Sequence, residues 1–327
     1  MAKEKLKIAF YWAASCGGCE IAVLDINEKI LDVVQIADIV FWPVAMDVKY
    51  KDVENMPDKY IDICFFNGSV RSEEQEHMAK LLRQKSKVLV AFGSCAHEGC
   101  VPGLANLHDR KEIFSKVYLE SKSVSNPGGI VPQTRFEAKE GLLKLPKFYD
   151  TVKTLGQTVD VDYYLPGCPP PVKLIVDALG AIAENKLPPK GSVLAPLKSV
   201  CDECPRKKEN KKISKIYRVY EKVPEPERCV LEQGIICIGP ATRSGCGAQC
   251  LKVDMPCTGC GGPCPNSPEQ GGAMLSALAS IMGLEEEKEK YTDKDVEELM
   301  GQIKDPIGTF YMYSLPASIL RRKVMKA

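Results

Sequence analysis

Short, nearly continuous apolar runs alternate with stretches of helical spacing through the first half of the chain. Leu6–Trp12 (LKIAFYW), Ile61–Asn67 (IDICFFN) and Lys87–Phe92 (KVLVAF) have the length and composition of buried strands. Asp38–Pro43 (DIVFWP) and Val159–Leu165 (VDVDYYL) read the same way. Between them, Glu20–Ile36 carries Ile21, Leu24, Ile30, Leu31 and Val34 at helical spacing. Ser72–Lys85 predicts a helix, with Ser72 as N-cap and the acidic run to Glu76 favoured by the helix dipole. Pro171–Asn185 predicts another, with proline in its first turn. Strands alternating with helices imply an α/β fold with a mostly parallel, doubly wound sheet. Ligands of such sheets gather at the carboxyl ends of the strands.

The pattern changes in the second half. Lys186–Lys198 (KLPPKGSVLAPLK) holds three prolines and a glycine and reads as a linker, dividing the chain into residues 1–190 and 191–327. From Ile236 to Gly272 the sequence is dominated by Cys, Gly and Pro. Such a segment offers too little hydrocarbon to offset the entropy of ordering its backbone, so something other than an apolar core must hold it. Two further helices are expected. Pro268–Met282 ends before Gly283, and Asp293–Ile303 starts at a capping box from Thr292 to Asp295. Leu284–Lys290 is charged and expected to be exposed, whereas the aromatic Gly308–Leu315 is expected to pack back on a core or a subunit. Ser125–Gln133 (SNPGGIVPQ) reads as a loop, or more sharply as a docking surface. Arg206–Lys215 carries six basic residues, a solvated loop or a surface for an acidic electron-transfer partner.

Composition narrows the chemistry. A net charge of +1 over 327 residues gives no reason to expect nucleic acid or an anionic membrane. The N-terminus lacks the apolar stretch of a secretory or twin-arginine signal, and no run reaches the ~18–20 apolar residues of a membrane span. The chain therefore reads as cytoplasmic, where thiols stay reduced and clustered cysteines bind metal rather than each other. Of its 15 cysteines, nine fall between Cys201 and Cys264. Three strand ends carry the others of interest: Cys16/Cys19, Cys95 and Cys168. Neither GxGxxG nor GxxxxGK[ST] is present, which disfavours a flavin or nucleotide. Cys64 lies inside a strand and reads as core. His97, between Cys95 and Cys100, reads as a structural or proton-handling neighbour, and His77 and His108 as surface residues. Structural zinc also takes four thiolates, but usually from paired knuckles within one compact ribbon. Thiols on separate strands suit iron–sulfur clusters, and the count allows three sites of four.

CGGC after the first strand, GSC at Cys95 and PGCPP at Cys168 resemble the proximal-cluster motifs of the [NiFe]-hydrogenase small subunit. The run from Cys237 to Cys246 (CIGPATRSGC) and the later CTGC resemble that family's two further cluster sites, so the likeness spans essentially the whole chain. Quinone-linked subunits of the complex I type share the GSC and PGCPP motifs but lack the second cysteine-rich domain. The resemblance implies a flavodoxin-like sheet followed by an irregular, cysteine-rich iron–sulfur domain with few helices.

By the same resemblance, Cys16, Cys19, Cys95 and Cys168 are the expected proximal [4Fe–4S] ligands. Cys201, Cys204, Cys229 and Cys237 are the distal ones, with Cys201 where many relatives have histidine. Cys246, Cys257 and Cys260 match the medial set. Cys250 lies near the place of a proline found in many relatives, which implies a third [4Fe–4S] cluster, with Cys264 the alternative fourth ligand. Among these enzymes the cytoplasmic archaeal F420-non-reducing (viologen-reducing) type fits best. It implies a [NiFe] large subunit that splits H2, a [2Fe–2S] subunit and heterodisulfide reductase as partners, and no catalytic residue in this chain. Glu20 stands either in a proton relay or at a helix start for structural reasons. An F420-reducing hydrogenase small subunit, a stand-alone iron–sulfur carrier and a structural zinc protein are the competing readings.

Overall fold

A computed structural model describes residues 4–267, 269–282 and 292–323. Nine strands occur among these residues: β1 (Leu6–Trp12), β2 (Ala37–Phe41), β3 (Ile61–Asn67), β4 (Val70–Ser72), β5 (Ser86–Phe92), β6 (Arg135–Ala138), β7 (Gly141–Lys144), β8 (Phe148–Lys153) and β9 (Tyr163–Leu165). Five of them form one parallel sheet in the order β2-β1-β3-β5-β9. This is the doubly wound, flavodoxin-like order, with the switch point between β1 and β3.

The apolar runs are continuous because both faces of the sheet are covered. With period two, Ile8, Phe10, Ile63, Phe65, Val90 and Phe92 face the helices Gly18–Leu24 and Val172–Ala183. Ala9, Tyr11, Cys64, Phe66, Leu89 and Ala91 face Met78, Ala79 and Leu82 of the helix Glu73–Lys85. Ser72 caps that helix by accepting from the Gln75 N–H, as its sequence predicts. Cys64 is wholly buried, as a core residue should be. Register aligns the carboxyl ends of four strands: Trp12 pairs with Asn67, Asn67 with Phe92, and Phe92 with Leu165. The loops that carry Cys16, Cys19, Cys95 and Cys168 therefore leave the sheet along one edge.

Several expectations shift. The helix expected over 20–36 is two, Gly18–Leu24 and Ile30–Ile36, separated by a tight turn in which Asn27 has φ +54°. The expected strand over 159–165 is paired only from Tyr163. Before it, the Asp162 side chain takes over and accepts from the Leu89 N–H at 2.8 Å. Two antiparallel pairs, β4 with β8 and β6 with β7, carried no clear periodic signal.

The second half does have an apolar core. It is built by hydrocarbon from either side of the cysteine-dense segment: Ile213, Ile216, Leu231 and Ile235 before it, and Met274, Leu278, Phe310, Tyr311 and Leu315 after it. The aromatic segment thus packs back as expected, and Gly271 of the helix Gln270–Ile281 lies flush against the Tyr311 ring. The helix Asp293–Gly301 begins at the predicted box, with the Asp295 N–H donating to the Thr292 hydroxyl. The expectations for Pro268, Gly283 and Leu284–Lys290 lie outside the described residues.

Candidate metal-cluster sites

The first set of thiols is assembled by the ends of β1, β5 and β9. Gly93 donates its N–H to the Leu165 carbonyl and Ser94 to that of Gly167, each at 2.8 Å. The Gly167 N–H returns to the Ser94 hydroxyl at 3.1 Å. These bonds tie the Cys95 turn to the Cys168 turn. Gly93 sits at φ +82°, ψ 162°, a region open essentially to glycine alone. A Cβ there would lie 2.3 Å from the Cys19 sulfur, so the wall of the site is bare because a thiol stands against it. Burial raises the thiol pKa of Cys19, and the thiols of Cys168, Cys16 and Cys100 add to the effect. Cys100, to which sequence alone assigned no role, is wholly buried with its sulfur 3.7 Å from that of Cys168.

Polar neighbours fix this edge. The carboxylate of buried Glu20 accepts from Trp42 Nε1–H and from Asn67 Nδ2–H, the latter at 3.3 Å, and burial raises its pKa. Those two donors give Glu20 a structural task. His97 packs at a tilt against Tyr164, ring centroids 4.6 Å apart, and its Nε2 is 3.0 Å from Glu98 Oε1. Burial, with Arg243 nearby, drives His97 down to about 3. Burial lifts Glu98 to about 7 against the pull of Arg243, so both are neutral near pH 6. His77 and His108 are exposed, as expected.

In the second half Cys201, Cys204, Cys229 and Cys237 line one cavity of about 530 Å³, with Arg206, Lys208 and Lys211 at its wall. Burial raises Cys201 to about 12, Lys208 opposing and the other three thiols adding. A Cβ on Gly239 would approach the sulfurs of both Cys201 and Cys237 to 3.5 Å. The Cys257 N–H points at the Cys237 sulfur at 3.4 Å.

Cys260 lies among the remaining thiols. Burial raises its pKa to about 11, with Cys246, Cys168 and Cys250 contributing. The Cys257 thiol is raised by burial, then by Cys237 and Cys260. Cys264 stands apart, donating to the Pro240 carbonyl at 3.4 Å, and the charges it feels are those of Arg243 and Asp202. Cys250 is thus among the thiols that raise Cys260, whereas Cys264 responds to Arg243 and Asp202 instead.

Polar side chains hold these turns where hydrocarbon is scarce. Gln270 Nε2 reaches the carbonyls of Gly259 and Gly262 at 2.9 and 3.2 Å. Glu203 accepts from the N–H groups of Gly245 and Gly247. Arg206, read from sequence as part of a solvated run, is buried and donates to the carbonyls of Leu251, Glu225 and Arg228. Isolated polar letters between cysteines gave no signal for these roles.

The donor sets suit iron–sulfur clusters. They are all-thiolate, bounded by glycine and supplied with N–H groups aimed at sulfur. Among the described residues no three His, Cys, Asp or Glu side chains converge as one metal ion would require. Also among the described residues, no helix is long and apolar enough to cross a membrane.

Residues 16–182 match the family model described as NADH ubiquinone oxidoreductase, 20 Kd subunit. The chain is 41% identical to the F420-non-reducing hydrogenase iron-sulfur subunit of Archaeoglobus profundus, over 98% of this chain and 99% of that protein. It is 36% identical to an F420-non-reducing hydrogenase subunit of Methanothermobacter marburgensis, over 99% of this chain and 98% of that one. A solved chain of the [NiFeSe]-hydrogenase of Dm. baculatum superposes with a TM-score of 0.50 at 16% identity, covering 80% of this chain and 95% of that one, and shows the same fold. Fold and thiol arrangement thus define a hydrogenase small subunit, part of an oxidoreductase. Within that class, the chain belongs to the family of F420-non-reducing hydrogenase small subunits.

Proposed function

We propose that the chain holds three [4Fe–4S] clusters and relays electrons from H2 oxidation at a [NiFe] large subunit. Cys16, Cys19, Cys95 and Cys168 form the proximal set. Cys246, Cys250, Cys257 and Cys260 form the medial set, and Cys201, Cys204, Cys229 and Cys237 the distal one. Residues 1–190 carry the first and 191–327 the other two.

The observation that carries this reading is the continuity of the sets. The Ser94 hydroxyl donates to the Cys260 carbonyl, which ties the turn of the proximal group to that of the medial. The Cys257 N–H, 3.4 Å from the Cys237 sulfur, joins the medial to the distal. When bound, such clusters supply one-electron oxidation and reduction. The protein's own part is to hold iron through thiolates, to exclude a side chain at Gly93, and to lay N–H groups against sulfur. Donors of this kind spread thiolate charge and set how readily a site accepts an electron.

Each end of the series has a surface to match. Beside the first cysteine pair, Ile21 and Leu24 are 61% and 54% exposed, an apolar face suited to the large subunit. Around the distal set stand Lys208 and Lys211, suited to an acidic electron acceptor. That acceptor is a [2Fe–2S] subunit leading to heterodisulfide reductase, in the cytoplasm, where so many thiols stay reduced. The test is to replace one cysteine per set, Cys95→Ser, Cys257→Ser and Cys204→Ser, in the complex with its large subunit. Each is expected to lose one set's iron and sulfide and to stop H2-dependent dye reduction. Full iron with undiminished activity in all three contradicts the proposal.

A further inference from the structure

The three sets account for twelve of the fifteen cysteines. Cys64 fills the sheet core, and Cys264 donates to the Pro240 carbonyl. Cys100 is left, and its place is unusual. It is fully buried, its sulfur lies 3.7 Å from that of Cys168, and it also faces the thiol of Cys95.

Its backbone is at φ +49°, ψ −155°, a conformation that glycine adopts freely and a cysteine does not. The surroundings hold it there. The Cys100 N–H donates to the Tyr313 carbonyl at 3.0 Å, the Ser69 hydroxyl is 3.0 Å from the carbonyls of both Cys95 and Gly99, and the Pro316 ring packs on Gly99. A side chain serving only to fill space gains nothing from a backbone that suits glycine. The strain points to a use for the sulfur.

We infer that Cys100 is a fifth sulfur of the proximal site, donating its S–H to the Cys168 sulfur when that sulfur holds iron. This rests on the proximal assignment proposed above. A donor at a ligand sulfur withdraws charge, stabilises the reduced, more negative site and raises its potential. Cys100 is thus a positioning and tuning residue, not a ligand.

The test uses the complex with its large subunit, comparing wild type, Cys100→Gly, which relieves the backbone, and Cys100→Ser, which keeps a donor. Iron and acid-labile sulfide are expected to be unchanged in both. In an EPR-monitored redox titration one cluster of Cys100→Gly is expected to move to more negative potential by up to tenfold in its one-electron equilibrium, about 59 mV. Cys100→Ser should restore most of that change. An unchanged midpoint in Cys100→Gly overturns the inference. So does loss of a whole cluster's iron, which makes Cys100 a ligand instead. Wild-type complex without iron and sulfide refutes the cluster reading itself, a separate result.

Discussion

Replacing Gly93 by alanine tests how closely the sheet edge is fitted to its thiols. The new Cβ would stand 2.3 Å from the Cys19 sulfur, with the Gly167 carbonyl at 3.5 Å and Pro170 at 3.7 Å. It cannot swing away, because the bonds from Gly93 to Leu165 and from Ser94 to Gly167 fix the backbone on both sides. Cys19, buried in the first turn of its helix, must then give way by roughly 1 Å to reach ordinary contact near 3.5 Å. The backbone conformation alone costs an alanine about 1–3 kcal/mol. With the displaced thiol, a total of roughly 2–4 kcal/mol lowers the equilibrium constant for the intact site some 30- to 1,000-fold, at ~1.4 kcal/mol per factor of ten. Gly191 supplies the control: its φ is +87° and nothing lies within 4 Å of a Cβ there. Iron and sulfide analysis of the complex should show Gly93→Ala short of one cluster and Gly191→Ala complete. Full loading of Gly93→Ala, with wild-type cluster signals, would mean that the Cys19 thiol does not need the bare wall at Gly93.

Other consequences concern stability, ligand choice and assembly. The Glu98 carboxyl is raised from 4.5 to about 7 by burial, so its protonated form favours the fold. That stability is full below about pH 4.5 and is lost as pH rises through about 7, amounting to ~3 kcal/mol at about 1.36 kcal/mol per pH unit. Glu98→Gln, which cannot ionise, should gain about 6 °C in melting temperature over wild type between pH 4.5 and 8, and parallel pH profiles would count against it. Cys250→Ser should produce a three-iron EPR signal in the oxidised complex, while Cys264→Ser should not; the reverse would move the fourth medial ligand to Cys264. The double variant Ile21→Glu/Leu24→Glu, on exposed positions, should leave circular dichroism unchanged yet fail to co-purify with the large subunit. Retained co-purification places that docking face elsewhere.

Buried elements were the easiest to read from sequence. Parallel strands buried on both faces write themselves as runs such as IDICFFN, and β3 begins and ends where that run does. Three cysteine motifs at three strand ends led to the edge on which the structure assembles them. Shorter-range cues misled where a side chain replaced a backbone role. Asp162 delays β9, and Asn27 breaks one expected helix into two. The exposed pair β6 and β7 packs on no core and so leaves no periodic trace. The cysteine-dense segment read as coreless because its hydrocarbon comes from residues well outside it, such as Phe310 and Leu315. Cys100 was invisible as a site residue because neither its positive φ nor its distance to Cys168 is written in a spacing.

Twelve cysteines holding three four-iron clusters fix both the number and the kind of iron sites. Mössbauer spectroscopy of ⁵⁷Fe-enriched complex, combined with metal analysis, tests this most directly. After allowance for the nickel–iron site, about twelve irons are expected in this chain, all in four-iron clusters, and no stoichiometric zinc. Zinc in place of iron, or a three-iron component in the untreated wild-type complex, would contradict it.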